Sequence, residues 1–559
     1  MGVPKLAHFL INKYKKQKFV FQKENEGIEL INWFLIDTNC LIHPKCFEVL
    51  AEEQKKNNIN FKSLEDKMIN AVLEYIEKLV DYVNPDKGFY ISIDGPVCAA
   101  KMKQQRQRRF RSVHDKQLFD KIKEKYKEPI PYYWNNSAIS PGTKFMDKLH
   151  NKIIIWGKEY KKKKNIEIIY SSSNVPGEGE HKLLDFIKNN KKQNNNYSYV
   201  TYGLDADLIF LMLVTQQDNV YLLREAQEFE RAASKDQLNF MSFKIMRECI
   251  LTTFNDLINN NKLDKNRIIN DFIFLCYFLG NDFLPHIIAL DISKNGVEYL
   301  VQKYCETYLL KKDYLLSKNT KNINQTFLAA FLNNLAADEE TILMENFNKP
   351  KRKKYFQGSG DYEKELFRIE NLLFKINDPI GIGIDSNYRK NYYKHHFDVD
   401  DDELEEFVEK LVKHYLTGVR WVSHYYFNKI PDWNWYYSYD YPPFIGDISK
   451  YLIDMNKIKF TENKPITPQE QLLVILPPQS NYLIPKSFCK LTNSPKSSLI
   501  HLYPSDFTVD FLYKNRYWEG VNLLPPLEIK LVNDVYKKYK NTLTTLEINR
   551  NRLDISCSL

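Results

Sequence analysis

The sequence has no Cys-x-x-Cys pair; its eight cysteines are scattered singly from Cys40 to Cys557. That spacing argues against a zinc site and a dense disulfide framework, and it predicts a reducing compartment. Long hydrophobic runs are missing too. The most apolar stretch, Phe272 to Leu279, stops at Gly280-Asn281-Asp282 and is too short to cross a bilayer. No secretory leader is visible, because Lys13, Lys15, Lys16 and Lys18 crowd the first apolar segment. Leu6 stands where N-myristoylation would need Ser or Thr. The expectation is a soluble, cytoplasmic protein, with the nucleus left open. A strong excess of one charge is also lacking: 80 basic against 71 acidic residues give +9, so the sum names no partner and the placement of charge must do so.

A chain of 559 residues suggests two to four folding units. As far as about Cys305, short β-rich runs alternate with longer helical patterns, which predicts an α/β fold with a mainly parallel central sheet flanked by helices. The expected strands are Trp33–Ile36, Phe89–Ile93, Ile166–Tyr170 and Tyr199–Tyr202. We divide the chain into an α/β region at 1–335, a polar linker or surface excursion at 336–365, and a second α+β region at 366–559 that packs against the first. The basic tetrad Lys351 to Lys354 and the Asn/Lys-rich patch Asn189–Asn196 read as solvated loops.

Acidic residues recur where predicted strands end. Asp37 closes Trp33 to Ile36, Asp94 closes Phe89 to Ile93, and Asp205 and Asp207 follow Tyr199 to Tyr202. Glu178 and Glu180 occupy a Gly-containing turn before a helix, and Asp282 ends the apolar run at Leu279. Ligands of an open parallel sheet bind beyond the carboxyl ends of its strands. Carboxylates gathered there repel unless cations intervene, and hard oxygen donors suit Mg²⁺ or Mn²⁺, typically as a pair. Any one of these residues could be ordinary turn chemistry; seven together point to a metal site.

After Asp94 the run Ala99 to Arg111 lacks Gly and Pro and should be helical. Lys101, Gln105, Arg108 and Arg109 then share one face and could hold a phosphate. The bland alternative is a solvated cationic face.

At these residues the sequence resembles the Xrn-type 5′→3′ exoribonucleases. The resemblance is carried by Met1 to Lys5, Asp37-Thr38-Asn39 with His43, Asp94-Gly95 to Arg111, Ser140 to Met146, Val175 to His181, Tyr202 to Leu208, Leu223-Arg224-Glu225 and Asp271 to His286. It continues in Trp433 to Ile448, Glu470 to Pro478, Tyr503 to Phe507 and Trp518 to Pro525. It implies a PIN/5′-nuclease-like fold and processive 5′→3′ hydrolysis of 5′-monophosphorylated single-stranded RNA to mononucleotides by a monomer. It also implies two Mg²⁺ ions, replaceable by Mn²⁺, on the seven carboxylates and a 5′-phosphate pocket on Lys101, Gln105, Arg108 and Arg109. His43 would stack on the first base, with Trp435, or else Trp433, across the base stack.

Two departures stand out. Asp440 and Pro442 replace the usual His and Ala, and Cys98-Ala99 replaces the usual Pro-Arg. The chain ends where cytoplasmic members continue into further β-rich domains, an expectation of a minimal catalytic core such as a large DNA virus could encode. Two other readings were weighed. A flap-type DNA endonuclease would carry a Gly-rich helix-turn-helix after its last metal Asp, and none follows Asp282. An idle RNA-end-binding scaffold would have lost a carboxylate, and all seven are present.

Overall fold

The computed structural model describes all residues except 1–4, 23–27, 29, 57–60, 192–195, 229–233, 235–236, 261 and 349–353. The Met1–Pro4 motif, three residues of the basic tetrad and part of the Asn189–Asn196 patch therefore lie outside the described residues.

Ten strands are present among the described residues: β1 (Val20–Phe21), β2 (Trp33–Asp37), β3 (Gly88–Ser92), β4 (Glu167–Ser171), β5 (Tyr199–Tyr202), β6 (Val220–Glu225), β7 (Leu238–Ser242), β8 (Val509–Asp510), β9 (Val521–Asn522) and β10 (Cys557–Ser558). Eight form one sheet in the order β1-β7-β6-β5-β2-β3-β4-β10, and β8 and β9 pair separately. The five central strands, β4-β3-β2-β5-β6, are parallel; β1, β7 and β10 add antiparallel pairs on either side. Every residue of β2 and β3 is buried. That accounts for their unbroken apolar runs, since a parallel strand covered on both faces needs no polar alternation. Successive residues feed opposite cores: Leu35 and Tyr90 face one, Phe34, Ile36, Phe89 and Ile91 the other.

The chain leaves β2 toward β3 and β4, then returns across β2 to lay down β5. This reversal creates a crevice at the carboxyl ends of β2 and β5, where an open α/β sheet binds its ligand. Asp37 pairs with Ser92, and Ile36 with Tyr202, so the ends of three strands lie level.

The linker expectation for 336–365 needs correction. Glu339–Phe347 is a helix with Leu343 buried. Glu339 is buried as well, and its carboxylate accepts hydrogen bonds from the Ile445 and Gly446 amides at 2.7 and 2.8 Å. This segment is tied into the second region rather than strung between two bodies. Nor does the core respect the division: one apolar cluster runs from Leu35 and Leu208 into Leu411, Tyr415 and Trp421 of the helix Leu404–Phe427. At the far end of the chain β10 pairs with β4 and closes the nuclease sheet.

Candidate active site

Each strand end delivers its carboxylate by a short route. Asp37 is the last residue of β2. Asp94 lies two residues past β3; its Oδ1 accepts from the Gly179 amide at 2.6 Å and its Oδ2 from Asn39 Nδ2 at 3.0 Å. Glycine is required at 179 because a Cβ there would lie 2.7 Å from Asp37 Oδ1 and 3.3 Å from the Ser92 carbonyl. The bare backbone lets Asp37, Asp94 and the Glu178–Glu180 turn approach one another. Asp205 follows β5, and Asp207 opens the helix Asp207–Val214. Arg224 on β6 donates to the carbonyls of Gly203 and Asp205 at 2.7 and 2.6 Å, fixing the loop that carries both.

Electrostatically these residues form an anionic cluster that Lys101 neutralises only in part. Burial, then Asp94, pushes Asp37 up to about 8. Asp207 rises to about 8 through burial, then Asp282 and Asp205. Glu180 is pushed well above its ordinary value by burial, Asp205 and Asp207. Both Glu180 carboxylate oxygens and Asp37 Oδ1 are buried without a hydrogen-bond partner. Buried carboxylate oxygens without donors are costly, and the donor set is all hard oxygen. The residues fit divalent cations.

Lys101 lines the same cavity as Gln105, Arg108 and Arg109 but is already paired. Its ammonium pairs with Asp282 Oδ2 at 2.7 Å and also with Glu178. Against the upward push of burial, it holds Asp282 below the usual carboxylate range. Lys101 thus belongs to the carboxylate cluster, at the edge nearest the phosphate face.

Gln105, Arg108 and Arg109 line the same cavity of about 670 Å³, with His43, Asp37, Asp94, Glu178, Glu180 and Asp205. Arg109 is held by Ser140 Oγ at 2.7 Å and, more loosely, by Gln105 at 3.4 Å, and its Nε is buried without a partner. Arg108 makes no hydrogen bond or ion pair among the described residues. Ser140 belongs to the Ser140–Met146 motif, whose Gly142 carbonyl accepts from Gln469 at 3.0 Å and whose Pro141 lines the cavity, so the motif forms part of the wall that holds the arginine.

His43 projects from the helix Asn39–Gln54 into the cavity. Burial, then the charges of Arg109 and Arg108, lowers it to about 4, which keeps the imidazole neutral and suited to stacking. The two tryptophans part company. Trp435 stacks on the buried Trp421 at 5.6 Å and 26°, and its ring crowds Gly418, where a Cβ would lie 2.8 Å away. Trp433 instead offers its backbone carbonyl to the Ala99 amide at the start of the helix that carries Lys101 to Arg109.

Two residues that sequence reasoning missed come from the second region. Tyr425 and Tyr426, adjacent on the helix Leu404–Phe427, donate to Glu178 Oε1 and Asp207 Oδ1, the latter at 2.7 Å. Lys182 was missed as well. It is buried and donates to the Ile93 carbonyl at 2.6 Å, bracing the strand end before Asp94. The departures from the family pattern are accommodated: Asp440 pairs with Lys103 at 2.9 Å, and the Pro442 carbonyl accepts from Tyr392 at 2.8 Å.

A parallel sheet that gathers Asp37, Asp94, Glu178, Glu180 and Asp205 around one cavity, with Asp207 and Asp282 near enough to couple to them, defines a metal-dependent nuclease core. The chain belongs to the Xrn 5′-3′ exonuclease family. Residues 1–226 match the XRN 5′-3′ exonuclease N-terminus, and residues 262–371 and 375–556 match the Xrn1 helical domain. It is 30% identical to human 5′-3′ exoribonuclease 1 over 99% of this chain and 35% of that protein. It is 27% identical to 5′-3′ exoribonuclease 2 of Candida albicans, over 99% of this chain and 74% of that one. With 5′-3′ exoribonuclease 2 of Arabidopsis thaliana it shares 28% identity over 99% of the chain and 68% of the relative. The chain thus spans about a third of the human protein and about three quarters of the yeast one.

Proposed function

We propose that this chain degrades single-stranded RNA processively from a 5′-monophosphate end, releasing 5′-mononucleotides, and that it works as a cytoplasmic monomer with two bound Mg²⁺ ions. The observation that carries the reading is the shared cavity: free or half-free guanidiniums at one end, cation-seeking carboxylates at the other. Asp37, Asp94, Glu178, Glu180, Asp205, Asp207 and Asp282 would hold the ions, which when bound activate water and offset charge on the scissile phosphate.

The chain's own side chains do the rest. Arg108 and Arg109, steadied by Gln105 and Ser140, grip the terminal phosphate dianion. The neutral His43 ring stacks on the first base, with Trp433 as its counterpart further along the strand. Lys101 lies between the phosphate face and the carboxylates, placed to touch the first internucleotide phosphate. Tyr425 and Tyr426 aim Glu178 and Asp207 inward. Stacking reads no sequence, so all four bases are accepted.

The test is product sizing. Purified protein with Mg²⁺ should convert linear 5′-phosphorylated RNA to mononucleotides and leave circular RNA intact. Fragments cut from the circle would replace this reading with that of an endonuclease.

A further inference from the structure

The loop that presents Asp282 to Lys101 also lines a second cavity, of about 440 Å³, through Gly280, Asn281, Leu284 and His286. Gly280 makes this possible: its φ is +84°, and a Cβ would meet the His286 backbone nitrogen at 2.7 Å. The remaining walls come from Lys5 near the N-terminus and from the second region, including Phe347, Tyr441, Tyr513 and Lys514.

The walls combine flat rings with uncommitted positive charge. His396 stacks on Tyr441 at 3.6 Å, and Phe347 meets Tyr513 edge-on at 4.8 Å. Three lysines and three carboxylates line the space, so formal charge balances, but the carboxylates are already engaged. Asp291 accepts from the Ser293 amide and hydroxyl at 2.8 and 2.6 Å, and Asp440 pairs with Lys103. Glu519 accepts from the amides of Asn515 and Arg516 at 2.9 and 3.1 Å. The side chains of Lys5 and Lys514 make no hydrogen bond or ion pair among the described residues. Both stand close enough to His286, with Lys294, to add their repulsion to the burial that lowers its imidazole to about 4.

Two ammonium groups with no hydrogen-bond partner among the described residues, within the field of Asp291 and beside a cluster of rings, suit a ligand that is an anion at one end and a planar base at the other. We propose that this cavity binds a nucleoside 5′-monophosphate, its phosphate held by Lys5 and Lys514 and its base against Phe347 and Tyr441. The cation-and-ring chemistry calls for an aromatic phosphate; the choice of a nucleotide rests on the exonuclease reading, in which it is the product. The ligand would then lean on the same loop that positions Asp282.

Equilibrium dialysis of the full chain against labelled AMP, in EDTA and without RNA, tests this. Arg108→Ala with Arg109→Ala removes the catalytic phosphate face, and the double variant should keep one AMP site. Lys514→Glu should weaken that site by at least about tenfold, the loss expected of one charge-assisted contact. Lys514→Met, closer to lysine in volume, should do the same if the glutamate variant melts early. Adenosine and inorganic phosphate should each compete less well than AMP. RNA hydrolysis by Lys514→Met should stay at the parent rate without added nucleotide. Loss of all AMP binding in the Arg108/Arg109 variant, or unchanged binding in both Lys514 variants, overturns the proposal and leaves the nuclease reading untouched. Failure of RNA hydrolysis with the Lys514-dependent site intact does the reverse.

Discussion

The helix Ala99–Tyr126 has two basic faces with the same chemistry and opposite tasks. Lys101, Gln105, Arg108 and Arg109 turn toward the cavity; Lys101 is paired with Glu178 and Asp282, while Arg108 and the Nε of Arg109 keep bonding capacity in reserve. Lys103, Arg106, Gln107 and Arg111 turn toward the second region and spend theirs. Arg106 donates to the carbonyls of Pro525 and Leu502, Gln107 to the Asn522 carbonyl, and Arg111 to Asp115 and the Tyr517 carbonyl. The difference teaches how to read a basic run: a guanidinium that caps backbone carbonyls glues two regions together, and one left unsatisfied beside a cavity waits for an anion.

The largest effects should come from the carboxylates the cavity-facing side serves. Asp207→Asn or Glu180→Gln should drop hydrolysis below detection while leaving binding of 5′-phosphorylated RNA within about twofold, because the phosphate face stays in place. EDTA should reproduce this and Mg²⁺ or Mn²⁺ reverse it. Gel-shift and turnover measured on the same preparation decide; loss of binding together with activity would break the separation of tasks.

The structural face should answer in stability instead. Arg106→Ala strips the buried Leu502 carbonyl and the half-buried Pro525 carbonyl of their donor and should cost on the order of 2 kcal/mol, seen as an early thermal melt. Whatever folded fraction remains should show the parent's 5′-end preference. A melt at the parent temperature would show that the two faces are not divided as described.

Subtler still, Tyr426→Phe removes one hydrogen bond to Asp207, worth about 1.5 kcal/mol, and should slow turnover about tenfold without moving the melt or RNA affinity. His43 offers the smallest effect and the cleanest sign. With its folded value lowered to about 4, the imidazole gains a proton only below that and is neutral at every higher pH. The ratio of His43→Phe to parent activity should therefore stay flat from pH 5.5 to 8.5. A ratio that bends near 6.5 would mean the ring is solvated and not stacked.

How much of this was legible in the sequence follows from the range of the interactions. The strand ends were readable because a local signal, an apolar run closed by Asp, combines with a topological rule that needs no contact map. Hence β2 to β5 emerged nearly to the residue, with Asp37, Asp94 and Asp205 at their ends. The edge strands β1 and β10 were missed because a two-residue antiparallel edge carries little pattern of its own, and β10 meets β4 only through the far end of the chain; β6 and β7, inside the sheet, were missed as well. Tyr425 and Tyr426 were out of reach for the same reason: their partners lie 247 and 219 positions away, in an aromatic stretch that reads as core. The choice between Trp433 and Trp435 was not legible, because periodicity cannot tell a ring stacked on Trp421 from one offered to a base. Lys101 was placed on the right face, but its ion pairs to Glu178 and Asp282 depend on the Asp282 loop folding back toward the helix.

The most direct test of the account compares four RNAs of one sequence bearing a 5′-monophosphate, hydroxyl, triphosphate or cap, digested by the parent and by Arg108→Ala with Arg109→Ala. A hydroxyl end leaves the cations without a partner, and the larger ends do not fit the face, so the parent should favour the monophosphate by at least about a hundredfold. The double variant should close most of that gap by slowing on the monophosphate alone. Equal rates on all four ends, or a preference that survives loss of both arginines, would contradict it.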